Sequence, residues 1–109
     1  MAITWQDFEK VEIRAGIILS AEQNEKAKKP AYKLKIDFGQ LGIKHSSAQI
    51  TQLYSAKDLV GKQIVAVVNF PPKQVASVKS ECLVLGVLDE QGIVLLQPER
   101  KVENGERVA

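Results

Sequence analysis

Lysine offers more chemistry than any other side chain in this sequence, and it is unevenly spread. Residues 26–44 hold Lys26, Lys28, Lys29, Lys33, Lys35 and Lys44 with Asp37 as their only acid. Residues 57–79 hold Lys57, Lys62, Lys73 and Lys79 with only Asp58. The stretches 1–25 and 81–106 are acidic, so the whole chain carries just +2. Ammonium groups at this density, once a fold gathers them, attract phosphates or carboxylates as point charges. A net +2 does not by itself demand a nucleic-acid partner, because a solvated surface has the same composition.

The residues suited to catalysis are fewer. One histidine, His45, stands beside Ser46 and Ser47, and the single cysteine, Cys82, lies elsewhere. A nucleophile and base also need an orienting acid and an oxyanion hole, and no nucleophile motif occurs. One histidine and one cysteine cannot make a closed structural zinc site of the usual type, and there is no glycine-rich phosphate loop. The chemistry is that of a binding domain, neither an enzyme nor a holder of metal or cofactor. His45 reads as a strand residue and Cys82 as a small buried one.

The other candidates border the basic stretches. The amide of Asn69 can meet a ligand's backbone or phosphate, or tie its own loop to the backbone. Phe70, Pro71 and Pro72 form a rigid apolar lip suited to extended polypeptide, or simply end a strand. Ser80 offers a hydroxyl to a ligand, and Glu81 pairs a nearby lysine or shapes its loop.

These groups need a scaffold. At 109 residues, 45% apolar and 26% charged, the chain makes one globular domain. Folding at this length removes roughly two-thirds of the unfolded surface from water. A lone cysteine implies a reducing compartment. The longest apolar run, Ile64–Val68, is far short of the roughly 20 residues of a membrane span. The N-terminus does not read as a signal peptide. A cytoplasmic domain without membrane insertion is expected.

Thr4 and Asp7 resemble a capping box opening a helical turn through Lys10, with Trp5 and Phe8 on one side. Val11, Ile13, Ala15, Ile17 and Leu19 then alternate with more polar residues, predicting a long strand whose bend falls at Gly16. Glu22–Pro30 reads as a loop. Tyr32, Leu34, Ile36 and Phe38 point inward in a second strand, with Lys33 and Lys35 outward. A third strand spans Ile43–Gln49, with Lys44 joining the outer lysines, and residues 50–61 look helical. Ile64–Phe70 is a buried strand, Lys73–Ser80 a polar loop, and Leu83–Leu88 and Ile93–Leu96 a hairpin about Asp89–Gly92. Glu103–Gly105 makes a further turn.

Three strands, a short helix and two more strands describe an all-β domain with short helices, a five-stranded Greek-key barrel of the OB-fold type. Ligands of that fold meet strands two and three, between the loops joining strands 1–2 and 4–5. Those loops here carry Lys26, Lys28 and Lys29, and Lys73 and Lys79, so both should reach one rim beside the Phe70–Pro72 lip. No aromatic occupies an outward position of the second strand, which counts against base stacking on single strands.

Four pieces of the chain resemble the tRNA-binding domain family. They are Val11-Glu12-Ile13-Arg14-Ala15-Gly16-Ile17, Lys33-Leu34-Lys35-Ile36-Asp37-Phe38-Gly39, Gly61–Asn69 with Phe70-Pro71-Pro72-Lys73, and Val78-Lys79-Ser80-Glu81. Within the family, Gly42–Thr51, Asn69-Phe70-Pro71-Pro72-Lys73 and Ser80–Gly86 resemble the export-related chaperone branch. Leu83 stands where the tRNA-binding branch typically has methionine. The resemblance implies a homodimer joined through the N-terminal turn and the C-terminal extension. It also implies binding of unfolded or precursor polypeptides without ATP, through Asn69, Phe70, Pro71, Pro72 and Ser80. The protein-export motor and tRNA are further candidate partners. For tRNA the candidate contacts are Lys28, Lys29, Lys33, Lys35, Lys44, Asn69, Lys73, Lys79 and Ser80.

Overall fold

In the computed structural model, which describes residues 1–109, two short helices punctuate nine strands. The order is α1 (Trp5–Glu9), β1 (Ile13–Gln23), β2 (Tyr32–Asp37), β3 (Ile43–Ala48), α2 (Ala56–Leu59), β4 (Gln63–Val67), β5 (Lys73–Val75), β6 (Val78–Ser80), β7 (Leu83–Val84), β8 (Gly86–Asp89) and β9 (Gly92–Leu95). Five of them pair antiparallel as β3-β2-β1-β4-β7, while β5-β6 and β8-β9 are separate hairpins. The far edges of the sheet meet where Glu81 N donates to His45 O at 2.8 Å and Ser47 N donates to Ser80 Oγ at 3.3 Å. The result is a nearly closed five-stranded antiparallel barrel, the OB-fold. No helix is long and apolar enough to cross a membrane.

The alternation in β2 behaves as its sequence predicts: Tyr32, Leu34 and Ile36 are buried, and Phe38 just beyond the strand is wholly so. They pack with Ile18, Ala48, Ile50, Leu59, Ile64 and Ala66 in one core. Leu59 enters this core from α2, whose start is fixed by Ser55 Oγ accepting from Asp58 N at 3.2 Å. The helix is confined to Ala56–Leu59, much shorter than the 50–61 expectation. At the N-terminus the capping box is present, with Thr4 Oγ1 accepting from Asp7 N and Asp7 Oδ2 from Thr4 N.

Ala15 is buried as expected, but from Gly16 onward the phase of β1 is the reverse of that expected. Ile18 stands opposite Ile36 and Ile17 opposite Asp37, so Ile18 is the core residue. Gly16 also faces inward: a Cβ placed on it would lie 2.7 Å from the Phe38 ring and 2.8 Å from Ile36 Cγ2. The aromatic ring takes the volume that a side chain would have filled, so this inward position carries no hydrophobic signal. The bulge is not at Gly16 but beyond Ile18, where the register against β2 slips before Ser20. The strand then continues to Gln23, so Glu22 is ladder rather than loop.

A second departure lies downstream. Lys73–Ser80 is a hairpin rather than a loop, turning through Ala76 and Ser77 with Ala76 in the left-handed region at φ 53. The turn contains neither glycine nor asparagine, so the usual sequence mark is missing. Phe70 is not in a buried strand: β4 stops at Val67 and Phe70 is 54% exposed. The expected Leu83–Leu88 strand is interrupted at Leu85, between β7 and β8.

The first part of β1 has an additional neighbour. β2 pairs with β1 only from Ile17 onward, and β4 takes the other side from Ile13 to Ile17. The vacant edge is filled by the C-terminal tail. Gly105 N donates to Ala15 O at 2.7 Å, Ala15 N to Glu106 O at 2.9 Å, and Val108 N to Ile13 O at 2.9 Å. Gly105 is needed here on two counts, since its φ is +95 and a Cβ would sit 2.6 Å from Phe38 O.

Candidate functional site

The loop between β1 and β2 and the β5–β6 hairpin face one another across a cleft of about 720 Å³. Lys26, Lys28 and Lys29 come from the first and Lys73 from the second, with Phe70, Pro71, Val75 and Leu83 supplying apolar surface. Lys28 and Lys73, 45 positions apart in the sequence, thus share one rim beside the Phe70-Pro71 ledge. Asn24 holds the two walls together. It is buried, its Nδ2 donates to Val75 O and Ser47 Oγ at 3.4 Å each, and its backbone N donates to Ala31 O at 2.9 Å. Its Oδ1 is buried without a partner.

The remaining lysines separate. Lys79, expected on the rim with Lys73, instead borders a second hollow of about 450 Å³ with Lys33, Lys35, Glu22, His45 and Glu81, because it alternates with Val78 and Ser80 on β6. Lys44 does not join them: it stands opposite Ile36, whereas Lys33 and Lys35 stand opposite Ser47 and His45. Cross-strand partners share a face, so Lys44 leaves β3 on the other side from Lys33 and Lys35. Pro72 lines neither concavity. Ser80 lines the cleft while its hydroxyl accepts from Ser47 N and donates to Cys82 O at 3.4 Å.

Asn69 faces its own chain. Its Oδ1 accepts from Glu12 N at 3.0 Å and its Nδ2 donates to Lys10 O at 2.7 Å, clamping the end of β4 to the junction of α1 and β1. It lines neither concavity. Asn69→Ala should cost about 1–2 kcal/mol in chemical denaturation, the range for losing two side-chain hydrogen bonds to backbone, with peptide and RNA affinities unchanged.

Glu81 pairs His45 rather than a lysine. Its Oε1 accepts from His45 N at 3.0 Å and lies 3.3 Å from His45 Nδ1. The His45 backbone N–H, more than the imidazole, holds the Glu81 carboxyl below its ordinary value of 4.5. A depressed carboxylate stabilises the fold fully above its unfolded pKa and loses that effect as pH falls through the folded value. The melting-temperature gap between the wild type and Glu81→Gln should therefore shrink as pH falls below 4.5. Burial pushes the Cys82 thiol up to about 11, which keeps it protonated at neutral pH and a poor nucleophile.

A third concavity joins the two ends of the chain. Ile3, Trp5 and Phe8 line it with Arg107 and Val108 over a volume of about 1160 Å³. Trp5, on α1, is 85% exposed.

Lys26 lies in the cleft with Lys28 and Lys29, as its loop predicts, whereas Val75 and Leu83 are cleft residues that sequence reasoning missed. Val75 became visible only with the hairpin, because the sequence of its turn lacks the usual mark.

A five-stranded barrel with a cleft lined by four lysines and by apolar side chains has the architecture of a binding domain. A family model described as "Putative tRNA binding domain" matches residues 13–107, and the chain belongs to the tRNA-binding domain family. It is 51% identical to a crystal structure of the CsaA chaperone protein from Picrophilus torridus, with TM-score 0.94 and coverage of 99% of this chain and 100% of that one. It is 50% identical to chaperone CsaA from Bacillus anthracis, with TM-score 0.93 and full coverage of both chains. Over 104 residues it is 36% identical to the methionine–tRNA ligase of Methanococcoides burtonii, covering 94% of this chain and 15% of the ligase. The chain thus spans about one-seventh of the ligases that it matches.

Proposed function

We propose that this domain is a CsaA-like chaperone that holds non-native or precursor polypeptides, without ATP and as a cytoplasmic homodimer, during protein export. The observation that carries this reading is the cleft itself, which sets apolar Phe70, Pro71, Val75 and Leu83 beside four lysines, in a chain half identical to two chaperones over their full lengths. Extended polypeptide presents apolar side chains at a regular spacing, and a shallow cleft beside β5, which has a strand partner on only one side, suits it. The dimer would join through Ile3, Trp5, Phe8 and Val108, where exposed Ile3, Trp5 and Val108 and the half-buried Phe8 from the two ends of the chain meet.

The test is suppression of aggregation of a chemically denatured substrate, together with anisotropy of a labelled unfolded peptide. Phe70→Asp should weaken the peptide about tenfold, as expected for loss of a central aromatic contact, and abolish suppression. Undiminished holding by the variant would move the site away from the cleft.

The second reading, a tRNA-binding protein, is favoured by one specific observation: four lysines and no acid line the cleft. Each lysine used against phosphate should add about one unit to the log–log slope of affinity against salt, whereas an uncharged apolar peptide should respond little. Submicromolar tRNA binding at 150 mM salt, without competition from unfolded substrates, would favour this reading over the chaperone.

A further inference from the structure

The cleft and the second hollow differ sharply in what they offer an anion. Lys26, Lys28, Lys29 and Lys73 line the cleft and no carboxylate does. The hollow sets Lys33, Lys35 and Lys79 against Glu22 and Glu81, with Glu22 Oε1 4.0 Å from Lys33 Nζ. A run of phosphates gains by every lysine it neutralises and is repelled by every carboxylate it passes. Four uncompensated charges against about one decide the matter: RNA backbone settles on the cleft.

The same four lysines stand around the only one of the two concavities with an apolar ledge, where polypeptide side chains would lie. Both occupants would draw on the same lining, with Lys28 and Lys73 beside Phe70 and Pro71, so their contacts overlap. Resting on the reading of the cleft as the polypeptide site, we propose that RNA and polypeptide are alternative occupants of this one cleft, so that bound RNA displaces polypeptide. Availability of the holding site would then follow the concentration of free RNA, a control that needs no second binding site and no change of fold.

The experiment uses the full chain and a labelled uncharged peptide of leucine and serine, so that the peptide carries no electrostatic response of its own. Unfractionated tRNA, added at 50 mM salt, should raise the peptide's apparent Kd in proportion to its concentration, and no complex containing both should sediment. Lys28→Glu combined with Lys73→Glu should weaken tRNA at least tenfold and remove the displacement, each variant being compared with its own peptide Kd measured without tRNA. Lys35→Glu combined with Lys79→Glu should leave the displacement in place. All four lysines are exposed, so unchanged melting curves are the check on folding. A stable ternary complex, absence of tRNA binding, or displacement that depends on Lys35 and Lys79 instead of Lys28 and Lys73 overturns the exclusion while leaving the polypeptide reading intact. Failure of the peptide to bind at all overturns both.

Discussion

Gly16→Val should destabilise the barrel by about 2–3 kcal/mol, the upper part of the range for forcing extra atoms into a filled core. The Cβ alone would stand 2.7 Å from two carbons of the Phe38 ring and 2.8 Å from Ile36. Both residues are completely buried, so neither can swing toward solvent to make room. For a domain of this size each kcal/mol shifts the melting temperature by about 4–8 °C, so a fall of about 10–20 °C is expected by differential scanning calorimetry. A control separates crowding from any other effect of losing the glycine. Phe38→Leu made in the Gly16→Val background should cost less than Phe38→Leu alone, because the valine refills part of the space that the ring leaves. A melting temperature within two degrees of wild type would show that the ring is not seated against the glycine.

Trp5→Glu should convert the proposed dimer into a monomer at micromolar concentration, halving the sedimentation mass toward 12.0 kDa. Trp5 is 85% exposed on a helix of five residues and borders the apolar concavity completed by Val108. A glutamate there puts a charge at the centre of the joined faces and leaves the barrel core untouched. The functional effect should exceed the loss of contact area. Two clefts at a fixed separation raise the avidity for a long unfolded chain by about 10²–10⁴ over one cleft. The variant should therefore bind a long substrate at least a hundredfold more weakly, while a peptide short enough to fill one cleft should bind within twofold of wild type. A wild-type protein that sediments as a monomer, or a Trp5→Glu protein that stays dimeric, removes this surface from the assembly.

The parts of the fold that were legible share one property: their side chains carry the pattern. β2 shows its buried and open faces as Tyr32, Leu34 and Ile36 against Lys33 and Lys35, and the cap of α1 is written in Thr4 and Asp7. The clustering of Lys28 with Lys73 followed from counting strands and assigning loops, and the cleft bears it out. What escaped was encoded by absences or by distant partners. Gly16 hides the inward phase of β1 because the volume opposite it belongs to Phe38, 22 residues away. Ala76 turns a hairpin without the glycine that normally marks one. The hydrogen bonds of Asn69 to Lys10 and Glu12 cross more than 50 residues and leave no local trace. Lys44 looks equivalent to Lys33 and Lys35 in charge, and only the register of β3 on β2 shows that it leaves from the other face.

The tail that completes the first part of β1 also bears on how the protein is made. A strand that leaves the ribosome early acquires its outer neighbour only after some ninety further residues have been added, since Arg14 and Ala15 meet Gly105 and Glu106. Until then Ile13–Ala15 offers unpaired backbone groups to any other nascent chain, the condition under which strands join to the wrong partner. Closure over so long a separation is slow for topological reasons alone. A message truncated before codon 105 should therefore yield a product that aggregates during translation, even though every strand of the barrel has been synthesised.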